Sequence, residues 1–450
     1  MPSSTLLFAA TAMALACMFL KRRATLSLGL APTLLTLLLI LHGPAYLYYT
    51  RIWGPERAFF QRILTAASPG SDVIASLDIA IAIMFLGVCA GIALADLVLG
   101  CCPLTMRTAL RSWDRNAMEI PAFAPRRALL LGMCGAAFLT ITAVTNNHLG
   151  RVLQFFYSQG DEFEKIELRR DLCAGDTYLF LLLNSTVLPF SACALLALAR
   201  SGCHSARLGV LTIVPCLFVA KLATLSKSPI VVFCLLLALT EIARRTLRPR
   251  LRTMVPVAIG GISLILVMSF VAIRTLANLE EALNFIVYRM FMVVNEVLLE
   301  YFAAIPSRLP HAWGANSGWL SVLLGIDPPP ALYWLVGEVH RDVRASTSNA
   351  MFLGDAWGGF SWLGVLVTPI VAGFVTRGID IELIVRRGKS AGAVAGLVLG
   401  QYGVVIAMTT AFQTALITGG LLLVLPLASW LGARRRRSPA VAGTPLPMHN

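Results

Sequence analysis

Long apolar stretches alternate with short polar or basic connectors over almost the whole chain, and the pattern has the period of helices rather than strands. A helix crosses roughly 30 Å of hydrocarbon with about 20 mostly apolar residues. That criterion predicts eleven spans, at 5–20, 25–46, 73–99, 128–145, 177–199, 208–225, 229–242, 254–273, 357–376, 391–409 and 414–431. The expected fold class is therefore all-α, a polytopic transmembrane helical protein. The first stretch is followed, not preceded, by Lys21, Arg22 and Arg23, so it reads as a retained span rather than a cleaved signal peptide.

Composition agrees with this pattern. The 450 residues are 57% hydrophobic and only 13% charged, about half the charged fraction of a soluble chain. The net charge of +14 would point to nucleic acid in a soluble protein, but its placement gives another account. When orientation alternates along the predicted spans, 23 of the 37 Lys and Arg fall on one side with only six acids, Asp96, Asp114, Glu119, Glu241, Asp380 and Glu382. By the positive-inside rule that side is cytoplasmic, which sets the N-terminus outside and the C-terminus, with its Arg434 to Arg437 run, inside. Most of the basic residues are thus topological, and no nucleic-acid partner is expected.

Four regions follow: 1–273 with eight spans and short loops, a large outward loop at 274–356, three closing spans in 357–433, and a basic tail at 434–450. The ten cysteines form no disulfide framework, because only Cys173 lies outside, and no metal-ligand spacing occurs. No Walker A loop, HExxH or GxSxG motif is present. Gly87 and Gly91 form a GxxxG, read as helix packing.

The outward segments 50–72, 146–176 and 274–356 are longer than connectors need. The last opens with an apolar stretch, 278–304, in which Arg289, Glu296 and Glu300 share one stripe of an ideal helix. This stretch and 318–336, which Asp327 and three prolines interrupt, are expected to be interfacial or re-entrant. The outward cations Lys221, Lys227, Arg274, Arg289, Arg341 and Arg344 are not explained by sidedness. Cations near the membrane need an anionic partner, and this set suits a pyrophosphate, with Arg giving bidentate contacts. His340 is the candidate general base, with Glu296, Glu300 and Asp355 as alternates. No cofactor or metal is required.

The turn SKSP at 226–229, Arg274 at the outer end of the next span, and the segment SNAMFLGDAWGGFSWLG at 348–364 resemble the bacterial oligosaccharide repeat unit polymerases, the O-antigen polymerases of the Wzy type, which are related to the O-antigen ligases. The match departs in Lys227, where many relatives have Arg, and in Ser348-Asn349, where the ligases have His-Asn. The resemblance implies a GT-C-like, metal-independent glycosyltransferase (hexosyltransferase type) of the bacterial inner membrane, acting on the periplasmic side. Its donor and acceptor would be undecaprenyl-pyrophosphate-linked glycans in a bed of membrane lipids, with a polysaccharide chain-length regulator as a further partner to be tested. An O-antigen ligase, which transfers the glycan to lipid A core, and a lipid or polysaccharide flippase are the competing readings.

Overall fold

The computed structural model describes residues 4–23, 27–53, 71–145, 178–223, 227–272, 278–316, 330–341 and 348–432, with the single residues 150 and 325. Among them the chain is helical, with no strand beyond one isolated bridge between Glu119 and Ser390. Nine helices among the described residues are long and apolar enough to cross a membrane. This is the architecture of an all-helical, multi-pass membrane protein.

Helix α1 spans Ser4–Arg23. Leu30–His42 (α2) and Pro44–Tyr48 (α3) are separated by Gly43 and continue into a π turn, Tyr49–Trp53. Ser71–Val98 (α4) is followed by the short amphipathic Pro103–Arg115 (α5), which buries Met106, Leu110 and Trp113, and by Ala124–Thr145 (α6). Tyr178–Leu182 (α7) passes through a π turn, Leu183–Val187, into Leu188–Arg200 (α8). His204–Ala223 (α9), Lys227–Arg245 (α10) and Leu251–Ala272 (α11) come next. Leu279–Val287 (α12), a π turn at Tyr288–Met292 and Val293–Ala304 (α13) form one continuous stretch. Leu332–Arg341 (α14) precedes Phe352–Asp380 (α15), which runs through a π turn, Ile381–Arg387. Ala391–Ala407 (α16), Phe412–Leu416 (α17) and Leu421–Leu431 (α18) close the described bundle. The seventh expected span, 229–242, lies within a longer helix, since α10 carries its pattern out to Arg244 and Arg245, both paired with Glu241.

The centre of the bundle is the crossing of α4 and α15. A Cβ on Gly91 would fall on the Ile370 carbonyl oxygen, and one on Gly373 on the Val88 carbonyl oxygen. Only glycine lets the two backbones approach this closely. Gly87 faces Pro369 in the same crossing, so the GxxxG is a packing device, as expected from sequence.

One end of the bundle gathers the basic segments. Arg107 donates to the Arg22 carbonyl, Arg127 to that of Trp430, and Lys389 to those of Trp113, Asn116 and Arg245. Asp114 accepts from Thr246, Leu247 and Arg248. Basic residues from several connectors that are distant in sequence thus meet at a single end of the bundle. The topological account is incomplete, however, for Arg377. It is buried and pairs with buried Asp96 at 2.7 Å, while Asp380 accepts the Leu30 and Ala31 N–H groups at 2.6 and 3.0 Å and so caps α2. At the far end Asp78 of α4 accepts from Thr5, Tyr46 and Arg51. From Asp78 to Asp96 the helix rises roughly 27 Å at about 1.5 Å per residue, close to the hydrocarbon thickness.

Candidate functional site

The α12–α13 stretch is long and apolar enough to span, and several of its contacts lie at the far end. Its π turn packs on α3, which carries Tyr46, the partner of Asp78. One turn on, Asn295 donates to the Leu41 carbonyl at 2.9 Å and its Oδ1 meets His42 Nδ1 at 2.8 Å. Beyond the last turn, Ile305 accepts from the Trp357 indole at 3.1 Å, at the end of α15 remote from Arg377. The two halves of the stretch are thus both tied to segments of the far end, α2 and α3 on one side and the start of α15 on the other.

The π turn changes which side chains this helix presents. Bonding from i to i+5 sets back the register of the residues that follow. Arg289 is exposed, with its guanidinium 5.7 Å above the Phe285 ring, whereas Glu296 and Glu300 are buried. The single stripe expected for the three does not form; only the two glutamates share a face.

Around that face a polar cluster is assembled from four elements. Tyr288 donates its hydroxyl to Glu296. Ser348 donates to Glu300 at 2.6 Å, and His340 Nε2 lies 2.9 Å from the Glu300 carbonyl oxygen, so Nε2 carries the proton and Nδ1 is the basic nitrogen. Ser348 is itself tied to α14 through its N–H and the Tyr333 carbonyl. Asp355, half-buried in the first turn of α15, accepts from Asn316 at 3.2 Å. Buried carboxylates persist only with hydrogen-bond or charge partners, and each of these has at least one.

Aromatic rings border the cluster. Phe302 stacks on Trp357 with centroids 4.6 Å apart and planes 7° apart. His311 meets Trp357 edge-on at 5.0 Å and donates from Nδ1 to the Trp357 carbonyl oxygen, 2.9 Å away. This region depends on a break inside α15. Phe360 (φ −141°, ψ 16°) and Ser361 (φ 55°, ψ −144°) leave helical geometry, and a Cβ on Gly364 would fall on the Ala356 carbonyl. Residues eight apart in a straight helix are roughly 12 Å apart, so the chain folds back here. The Gly358 and Gly359 carbonyls then accept from the N–H groups of Ala312 and Gly314, which fastens the 305–316 segment over the break.

Of the sequence-predicted site residues, Glu296, Glu300, His340 and Asp355 are brought to one end around α13. Lys221 is buried elsewhere, donating to the Asn184 carbonyl at 2.6 Å. Lys227 begins α10 and Arg341 ends α14, but their side chains, and all of Arg274 and Arg344, lie outside the described residues. Tyr288, Ser348, Asn316, His311 and the His42–Asn295 pair were not foreseen. Ser348 and Trp357 do fall within the 348–364 motif, which was the available signal; the others depend on contacts between distant segments.

The chain matches no family model, no curated protein and no solved structure.

Proposed function

We propose that the protein is a glycosyltransferase that polymerises undecaprenyl-pyrophosphate-linked oligosaccharide repeat units at the outer face of the bacterial inner membrane. The observation that carries this reading is the convergence of Glu296, Glu300 and His340 with the 348–364 segment, which supplies Ser348 and Asp355, at the end opposite the basic residues. In the proposed step the acceptor sugar hydroxyl attacks the anomeric carbon of the donor glycan. The bond from that carbon to the pyrophosphate oxygen breaks, and the electron pair leaves with the undecaprenyl pyrophosphate. The hydroxyl proton passes to a carboxylate. Asp355 is assigned this role because it is less buried than Glu296 and Glu300 and is oriented by Asn316. Outward cations, with Arg274, Arg341 and Arg344 as first candidates, would neutralise charge developing on the leaving pyrophosphate.

A flippase would use ionisable groups along a path through the spans. The two acids of α4 most suited to one, Asp78 and Asp96, are held in ion pairs with Arg51 and Arg377, which favours the enzyme over the transporter. The deciding measurement is extension of a defined lipid-linked repeat unit by the purified protein. Wild type should yield a ladder, and Asp355→Asn should slow it by roughly 100-fold or more. Transfer only to lipid A core would establish the ligase instead, and a ladder of normal rate from Asp355→Asn would remove Asp355 from the chemistry.

A further inference from the structure

Beside the carboxylates, a row of rings runs from Trp313 through His311 and Trp357 to Trp362, with successive centroids 6.1, 5.0 and 5.2 Å apart. The middle of the row is fixed: Trp357 is buried, stacked on Phe302 and bonded at both its indole N–H and its carbonyl. Its two ends are open, with Trp313 63% and Trp362 39% exposed.

Trp313 is also strained. Its φ of 47° is in the left-handed region, which a bulky non-glycine residue rarely adopts and which costs on the order of 1–3 kcal/mol. Hydrogen bonds on either side of it, from Ala312 and Gly314 to the Gly358 and Gly359 carbonyls, hold the conformation. The largely exposed Trp313 indole meets His311 edge-on. Next to the row, Asn316 gives its Nδ2 to Asp355, while its Oδ1 is buried without a partner among the described residues and sits against Gly359. Such an orphaned acceptor costs about 1–3 kcal/mol unless a ligand donates to it.

The geometry points to a carbohydrate-binding shelf, in which Trp313 and Trp362 stack the apolar faces of successive sugar rings and Asn316 accepts from a sugar hydroxyl. The row's successive rings are inclined by 63°, 85° and 74°, so its two exposed indoles present separate faces, and an apolar ring face beside a fixed polar acceptor matches a pyranose, which has an apolar face and hydroxyls at its rim. A ring row of this length fits an oligosaccharide better than a monosaccharide. Since Asp355 is shared between the shelf and the reacting cluster, the shelf would hold the sugars adjoining the acceptor hydroxyl. This assignment rests on the polymerase reading for the identity of its ligand, and not for its existence.

Binding of the lipid-free repeat-unit oligosaccharide, released from the cell's own precursor by mild acid, can be followed by tryptophan fluorescence on the full-length protein in nanodiscs. Trp313→Gly and Trp362→Ala should each weaken binding tenfold or more, whereas Trp430→Ala, at the basic end, should bind as wild type does. Because glycine accepts a positive φ, Trp313→Gly should unfold at the same or a higher temperature than wild type, which separates lost binding from lost folding. Unchanged affinity in both shelf variants, or no binding by a wild type that extends lipid-linked units, overturns the shelf and leaves the polymerase standing. Binding lost in both variants by a protein that extends nothing sinks the polymerase and leaves the shelf. Lower membrane retention of Trp313→Gly with unchanged affinity would identify the rings as an interfacial aromatic belt and reject the proposal.

Discussion

At the scale of single residues, the charges that matter most are those withdrawn from water. Asp96 and Arg377 are buried together 281 positions apart in sequence. Removing one partner strands the other, which costs about 3–5 kcal/mol, whereas replacing both with apolar residues of similar volume is often neutral. Arg377→Met alone should therefore lower the unfolding temperature in detergent strongly, and Asp96→Leu with Arg377→Met should recover most of the loss. No local pattern announces such a pair, since each side chain alone looks like one more charge at a helix end. Asp380 belongs to the same class: read as part of a cytoplasmic acid count, it is the cap of a helix that begins 350 residues earlier. Cys102 shows the reverse, a local effect legible from the Cys-Pro-Leu-Thr sequence once α5 is known. The Thr105 hydroxyl and N–H hold its exposed thiol below the usual thiol range, so the thiolate persists to lower pH. Its rate of maleimide labelling should pass half-maximum at a lower pH than that of an unperturbed thiol, and Thr105→Val should move the profile back up.

At the scale of elements, the α4–α15 crossing depends on glycine at specified points. Gly91→Ala or Gly373→Ala must push a carbonyl away and should cost about 1–3 kcal/mol, read as a drop in the thermal midpoint. Gly260→Ala in α11, where a Cβ would meet open space, should leave the midpoint unchanged or raise it. Equal losses at all three positions would remove close packing as the explanation. The first crossing was legible as GxxxG; its partner glycine was not, because a single sequence does not say which helices touch. The apolar pattern located most helices well, but it assumes an unbroken 100° period. The π turn at Tyr288–Met292 interrupts that period, which is why Arg289 was wrongly grouped with Glu296 and Glu300.

At the scale of the whole molecule, the division of charge between two sides was the most informative reading of the sequence, since it needs only span boundaries good to a few residues. The candidate site was half legible. Its acids fell in an outward loop too long to be a connector, while their neighbours come from segments that meet only in the folded chain. The sidedness itself has a direct check. With a membrane-impermeant maleimide on intact spheroplasts, a cysteine introduced as Trp313→Cys should be labelled, and native Cys102 should be labelled only after permeabilisation. The opposite result would invert the protein in its membrane.

The bend at Phe360 and Ser361 has a consequence for how this protein can change over evolutionary time. Below it, one face of α15, with Pro369, Gly373 and Arg377, is committed to α4 and to the Asp96 pair, while Leu363, Leu366, Val367 and Val371 on the other face are exposed. Above it, eight residues, Phe352 to Gly359, carry Asp355 and Trp357 and touch chiefly the 298–316 region and α14. All of these residues except half-buried Asp355 are buried, and a Cβ on Gly354 or Gly358 would press on Ala350 or Leu332. Divergence among related chains should therefore concentrate on the exposed face of α15 below Ser361, with the buried residues on both sides of the bend changing slowly.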